Sequence, residues 1–178
     1  MKRLPGDTSA ERAVARIIRV DHAGEYGAKR IYDGQLAVLG NRPGAAAKKI
    51  RHMAEQEQRH LDAFEKLVLD RRVRPTALSP VWHVAGFALG AATALMGERA
   101  AMACTVAVEE VIDEHYQRQI DALGDDEPAL KKSLEEFRNQ EIEHRDTARE
   151  SGGDGGPALL KAAIKTGSRL AIWLSTRI

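Results

Sequence analysis

One pattern constrains this chain more than any other, and it occurs twice. Glu25 is followed 32 residues later by Glu57, which opens the E-x-x-H run Glu57-Gln58-Arg59-His60. Glu109 is followed 32 residues later by Glu141, which opens Glu141-Ile142-Glu143-His144. The two sets are offset by 84 residues. In a helix, E-x-x-H puts Glu and His one turn apart, so both side chains reach one ion. A four-helix bundle that holds two metal ions takes one Glu from each of two helices and a Glu-x-x-His from each of the other two. Two such helices plus two bridging carboxylates give each ion a nitrogen and several oxygens, a set suited to iron or manganese. With 15 Glu and six His, composition alone predicts about 0.5 E-x-x-H pairs, so the motif by itself is weak. The shared offset from a preceding Glu carries the argument. Glu25 sits among Gly24, Ala28 and Ile31, and Glu109 follows Cys104–Val108. Neither is an ordinary wet face, and a buried carboxylate without a partner is costly.

The rest of the sequence supplies the helices this pattern needs. Gly and Pro are sparse inside the long segments, Ala, Leu, Glu, Arg and Lys dominate, and no period-2 strand stands out. Helices are predicted over about 9–39, 45–69, 98–123 and 129–149, the first capped by Thr8 or Ser9. Residues 40–44 and 124–128 read as turns, and residues 151–157 as a flexible glycine linker. Residues 75–97 lack any Asp, Glu, Lys or Arg. Pro80 breaks this stretch, leaving 14 uncharged residues from Val84 to Gly97, whereas a spanning helix needs about 20. A short apolar helix or hairpin, buried or dipping into one leaflet, is expected. Residues 158–178 read as an amphipathic helix with basic Lys161, Lys165, Arg169 and Arg177 and with Trp173. It suits either a membrane surface or a place on the bundle.

Several function classes fall away. A net charge of +1 leaves no electrostatic footprint for nucleic acid. A single cysteine, Cys104, provides neither a disulfide nor a Cys-based cluster, and in its apolar run it reads as an inert buried thiol. The glycine run at 151–157 matches no nucleotide fingerprint. The start MKRLPGDTSAER has no apolar signal region, which points to a reducing, intracellular setting.

Other residues are candidates for supporting roles. Tyr32 and Tyr116 each lie seven positions after their Glu, on the same face, where they are either core or hydrogen-bonded near the metals. Asp21, one turn before Glu25, either orients a ligand imidazole or is solvated. His115 neighbours Tyr116 and is by default a surface or satisfied histidine. Gly24 and Gly27 each cost about 1 kcal/mol of helix stability relative to Ala. That implies either close helix approach or space kept open beside Glu25.

The stretches RIIRVDHAGEYGAKRIYDGQLAVLG, EQEQRHL, RVRPTALSPVWHVAGFALGAATALMG, ACTVAVEEVIDEHY and NQEIEHRD, with the C-terminal GSRLAIWLSTRI, closely resemble the demethoxyubiquinone hydroxylase family of ubiquinone biosynthesis, which belongs to the ferritin-like di-iron carboxylate proteins. The resemblance runs from about Arg16 to the C-terminus. It implies one all-α domain over residues 1–178: a ferritin-like four-helix bundle with a di-iron core, an apolar insertion and a C-terminal amphipathic helix. It implies Glu25, Glu57, His60, Glu109, Glu141 and His144 as iron ligands; Tyr32 and Tyr116, from their spacing alone, are the candidate catalytic residues. The implied reaction places one oxygen atom of O2 on the ring of a demethoxyubiquinol-like polyprenyl quinone. The other leaves as water, and two electrons come from NADH. The implied setting is peripheral, on the cytoplasmic face of a bacterial inner membrane or the matrix face of the mitochondrial one. A lipid-binding partner protein and a homodimer or small oligomer are expected. The mitochondrial members carry a targeting extension not seen here, so a bacterial member or a trimmed form is expected. The ligand pattern alone leaves open an iron-storage ferroxidase, a rubrerythrin-like peroxidase, a manganese catalase or a membrane-surface scaffold with a degenerate site.

Overall fold

A computed structural model describes residues 9–42 and 45–178. Thr8 and the Pro43-Gly44 part of the first turn lie outside the described residues. Six helices follow in order among the described residues: α1 (Ala10–Leu39), α2 (Ala45–Asp70), α3 (Ser79–Leu95), α4 (Glu98–Leu123), α5 (Pro128–Glu150) and α6 (Ala158–Ser175). No strand occurs among them. Ser9 caps α1 by accepting a hydrogen bond from the Arg12 N–H at 3.3 Å. The α1–α2 and α4–α5 hairpins form the four-helix bundle, with α1 facing α4 and α2 facing α5.

Two apolar clusters fill the ends of this bundle. One gathers Tyr32, Leu39, Ile50, Met53, Met102, Val106 and Ala148. The other gathers Val14, Ile18, Phe64, Tyr116, Ile120, Leu130 and Leu134. On every bundle helix the candidate ligand falls between its contributions to the two clusters: Glu25 between Ile18 and Tyr32, Glu57 and His60 between Met53 and Phe64, Glu109 between Val106 and Tyr116, Glu141 and His144 between Leu134 and Ala148. Apolar packing at both ends therefore holds a polar middle layer in place.

The apolar stretch is one continuous helix and not a hairpin. Pro80 does not break it, because it lies in the first turn of α3, where the missing N–H has no intrahelical partner to lose. The helix lies backbone-to-backbone on α1. A Cβ added at Gly90 would sit 1.9 Å from the Ile31 carbonyl oxygen, one at Gly86 2.8 Å from that of Gly27, and one at Gly34 2.2 Å from that of Phe87. Gly90→Ala is accordingly expected to destabilise the fold by about 2 kcal/mol through forced separation of the two helices, measured by denaturant titration. A neutral effect would show that α3 is free to move off α1. The opposite face of α3 leaves Val81, Val84 and Leu95 exposed, with Met96 just beyond its end.

The glycine run after α5 is likewise packed and not a free linker. Residues Gly153–Gly155 form a 3-10 turn, and Gly153 is buried against the Met102 and Ala148 carbonyls. Glycine is what allows that approach: a Cβ at Gly153 would be 2.8 Å from each of those oxygens. The turn delivers α6 to α4, where Ile164 meets Cys104, Ala107 and Val108. Lys165 pairs with Glu110, and Arg169 lies 3.1 Å from Glu114. Leu159, Leu170, Trp173 and Ile178 stay exposed. The place on the bundle expected for the C-terminal segment holds for one face of α6, while its other face is exposed. No helix among the described residues is long and apolar enough to cross a membrane.

Candidate metal centre

The bundle brings all six sequence-predicted ligands together. Glu25, Glu57, His60, Glu109, Glu141 and His144 are each at most 3% exposed. They form two overlapping groups, Glu25–Glu57–His60–Glu141 and Glu57–Glu109–Glu141–His144, whose candidate ligand atoms lie within 4.8 Å of one another. Each E-x-x-H pair serves one group, as its spacing requires. Glu57 and Glu141 belong to both groups, so the motif carboxylates are the ones placed to bridge, while Glu25 and Glu109 each belong to one.

Glu25 Oε2, both oxygens of Glu57, Glu109 Oε2 and Glu141 Oε1 are buried and meet no donor other than an imidazole nitrogen. Four carboxylates so confined repel one another, and two divalent cations would satisfy them together. The nitrogen donors fit too. His60 Nδ1 lies 3.2 Å from Glu25 Oε2 and 3.0 Å from Glu141 Oε1. His144 Nδ1 lies 3.2 Å from Glu57 Oε1 and 3.0 Å from Glu141 Oε2. Each contact is an ion pair when Nδ1 carries a proton, and a lone pair aimed into the oxygen cluster when it does not.

Electrostatics in the metal-free protein follow from this crowding. Burial pulls His60 down, but the carboxylates of Glu141 and Glu25 outweigh it and hold it up at about 12. Burial is likewise outweighed at His144 by Glu141 and Glu57, which hold it up at about 11. Burial pushes Glu141 up, but His144 and His60 bring it to about 2. Glu57 and Glu109 lie well above the usual carboxylate range, through burial and then through the charge of Glu141. The neighbouring carboxylates favour the protonated form of both imidazoles, so binding of an ion at Nδ1 is expected to displace a proton. Affinity for a divalent ion is expected to rise between about pH 6 and about pH 8, by about tenfold per pH unit for each proton released. Anaerobic Co(II) titration at the two pH values checks this, and a pH-independent affinity would contradict it.

The tyrosines cross between the two halves. Tyr32 donates to Glu109 Oε1 at 2.7 Å, and Tyr116 donates to Glu25. Each therefore holds the carboxylate of the other half, not the one seven residues before it. Burial, followed by the charge of Glu109 or Glu25 respectively, keeps each phenol protonated and a donor. Asp21 is buried and orients neither ligand imidazole. Its Oδ1 accepts from Gln119 Nε2 at 2.7 Å and lies 3.2 Å from His115 Nε2. His115 thus lies outside the six-residue cluster, tied to Asp21 one turn before Glu25. Cys104 is buried, which pushes its thiol up to about 12 and leaves it inert.

Two residues missed by sequence reasoning touch the imidazoles directly. His60 Nε2 lies 3.0 Å from Gln140 Oε1, and His144 Nε2 lies 2.9 Å from Gln56 Oε1. The signal was present: both E-x-x-H motifs are preceded by Gln, as QEQRH and QEIEH.

An apolar cleft of about 530 Å³ lies between α1, α3, α4 and α6. Gly24 and Val108, the neighbours of Glu25 and Glu109, line it, with Gly27 and Ile31 of α1, Trp82 and Leu89 of α3, Ile112 of α4, and Ile164 and Gly167 of α6. A Cβ added at Gly24 or Gly27 would meet nothing within 4 Å. The space that side chains at these two positions would fill belongs to the cleft.

Comparison with known proteins agrees with this geometry. The family profile described as "Ubiquinone biosynthesis protein COQ7" matches residues 12–175. A Rhodospirillum rubrum protein named 3-demethoxyubiquinol 3-hydroxylase is 58% identical over 178 residues, covering 99% of this chain and 84% of that protein. A human protein named NADPH-dependent 3-demethoxyubiquinone 3-hydroxylase, mitochondrial, is 49% identical over 178 residues, covering 97% and 81%. A Saccharomyces cerevisiae protein named 5-demethoxyubiquinone hydroxylase, mitochondrial, is 41% identical over 180 residues, covering 92% and 77%. With the profile spanning nearly the whole bundle and these relatives matching over almost all of its length, the chain belongs to the COQ7 family of ubiquinone biosynthesis proteins.

Proposed function

We propose that this chain is a di-iron monooxygenase that hydroxylates the ring of a demethoxyubiquinol-type polyprenyl quinone with O2. The observation that carries the reading is the pairing of two overlapping ligand groups, which share Glu57 and Glu141, with an apolar cleft lined by the neighbours of Glu25 and Glu109. His60 with Glu25 would hold one iron and His144 with Glu109 the other. Bound there, two ferrous ions supply the electrons and the open coordination positions that O2 activation requires. The chain's own residues do the rest. Tyr32 and Tyr116 keep Glu109 and Glu25 oriented. Phe137, stacked on His60 with ring centroids 4.3 Å apart, and Phe64 behind it close the site to water on that side. The apolar cleft takes the ring and the first isoprene units and excludes solvent.

The relatives' names speak for hydroxylation over storage, peroxidase or scaffold roles, and several print NADPH where the resemblance implied NADH. NADPH is therefore the reductant favoured for this chain. A polyprenyl substrate lies in a bilayer, so the enzyme must work at a membrane surface. Exposed Val84 and Leu95 on α3, with Leu170, Trp173 and Ile178 at the C-terminal end, give that surface an apolar contact near the cleft. Arg12, Arg16, Arg19 and Arg177 line a polar groove where α1 meets the C-terminus, suited to anionic headgroups. We read the protein as peripheral on the cytoplasmic face of a bacterial inner membrane, or its mitochondrial matrix equivalent. A lipid-binding partner and a small oligomer remain part of this proposal. Quinone profiling of a strain lacking the protein tests it: the demethoxy intermediate should accumulate and disappear on complementation. Unchanged ubiquinone would overturn the reading, and failure of the intact protein to bind liposomes would overturn the membrane placement.

A further inference from the structure

The six candidate ligands leave one side of each imidazole unaccounted for. Nδ1 of His60 and of His144 faces the carboxylate cluster, so an ion held at Nδ1 would leave the N–H on the outward Nε2. In both cases that N–H meets the side-chain oxygen of a glutamine on the opposite helix: His60 of α2 with Gln140 of α5 at 3.0 Å, and His144 of α5 with Gln56 of α2 at 2.9 Å. The two glutamines are 84 residues apart, the same offset that relates the six ligands. They immediately precede Glu57 and Glu141. Adjacent helical residues diverge by about 100°, so each glutamine leaves the metal-facing stripe and reaches the neighbouring helix.

We propose that Gln56 and Gln140 are positioning residues for the metal pair: each accepts the Nε2–H of the imidazole on the facing helix and so commits Nδ1 to the ion. This rests on the metal reading of the site. A ligand histidine generally gives its second N–H to an oxygen acceptor, which sets tautomer and ring orientation. Here the acceptor is a neutral amide supplied across the bundle. The working unit is therefore Q-E-x-x-H, with Gln holding the other helix's His, Glu shared between the two ions and His binding one of them. The crossing makes a definite assignment. Gln56 supports the ion at His144 and Gln140 the ion at His60, although each lies nearer in sequence to the other histidine.

The test uses the full chain, freed of metal and titrated anaerobically with Co(II), reading bound ions and the d–d absorption of each. Gln56→Leu is expected to weaken one of two ions by about 10- to 100-fold and spare the other. Gln140→Leu should weaken the second and spare the first. Gln56→Glu and Gln140→Glu keep an acceptor oxygen and should recover binding. In combination, Gln56→Leu should add no loss to His144→Ala but its full loss to His60→Ala. Leu variants that bind both ions as the wild type does would overturn the proposal. So would losses that the Glu variants fail to recover, or coupling of Gln56 to His60 in place of His144. A wild-type chain that binds fewer than two Co(II) overturns the underlying metal reading and is recognised before any variant is made.

Discussion

Glu141→Ala is expected to lower ring hydroxylation by at least about 10³-fold and to leave fewer than two iron ions per chain. No other single ligand substitution except Glu57→Ala should weaken both sites at once. Glu141 belongs to both ligand groups, and its two oxygens lie 3.0 Å from His60 Nδ1 and from His144 Nδ1. Removing it would take a shared ligand from both ions together. In the metal-free protein it also leaves two buried imidazolium groups without their shared counter-charge, at a cost of about 3 kcal/mol. Glu141→Gln separates the two effects, because it keeps the side-chain shape while losing the charge. Glu25→Ala is the control, since Glu25 belongs to one group only. It should retain the ion at His144 while losing activity. Iron per chain and product formation are the readouts, and full occupancy in Glu141→Ala would contradict the shared-ligand assignment.

Gly27→Leu is expected to have the opposite profile: a fold at least as stable as the wild type, two bound iron ions, and kcat/KM lowered by about 10²-fold. A Cβ at Gly27 would meet nothing within 4 Å, so the backbone accepts the substitution. Replacing a mid-helix glycine adds about 0.5–1 kcal/mol of helix stability. The new side chain enters the apolar cleft two residues from Glu25, in the space assigned to the quinone. Gly90→Ala, a smaller change on the facing helix, harms the fold instead, because Gly90 abuts the Ile31 carbonyl. Two glycines on the same pair of helices thus separate a packing role from a binding role. Unchanged kcat/KM in stable Gly27→Leu would place the substrate elsewhere.

The bundle and the clustering of the six candidate ligands were legible because both rest on short-range regularities. Helix periodicity with glycine and proline punctuation marks α1, α2, α4 and α5, and the doubled offset marks the ligands. Features that depend on a neighbour in space were not legible. Pro80 reads as a break until its place in the first turn of α3 is known. The glycines at 152–156 read as a linker, because sequence does not show the Met102 and Ala148 carbonyls that Gly153 meets. Asp21 faces His115 and Gln119, and Tyr32 and Tyr116 hold each other's carboxylates, because α1 and α4 lie face to face. Gln56 and Gln140 stood beside the motif unremarked, since their partners belong to the opposite hairpin.

The central claim is that the buried pair of ligand groups activates dioxygen for the ring of a quinone held in the adjoining cleft. Its most direct test supplies isotopically heavy O2 to the iron-loaded protein with NADPH and a short-tailed demethoxyubiquinol in liposomes, followed by mass analysis of the quinone. The expected result is a hydroxylated product carrying one heavy oxygen atom from O2 and none from water, lost in Glu141→Ala. A chain that holds two iron ions yet gives no hydroxylated quinone, or a product labelled from water, would contradict it.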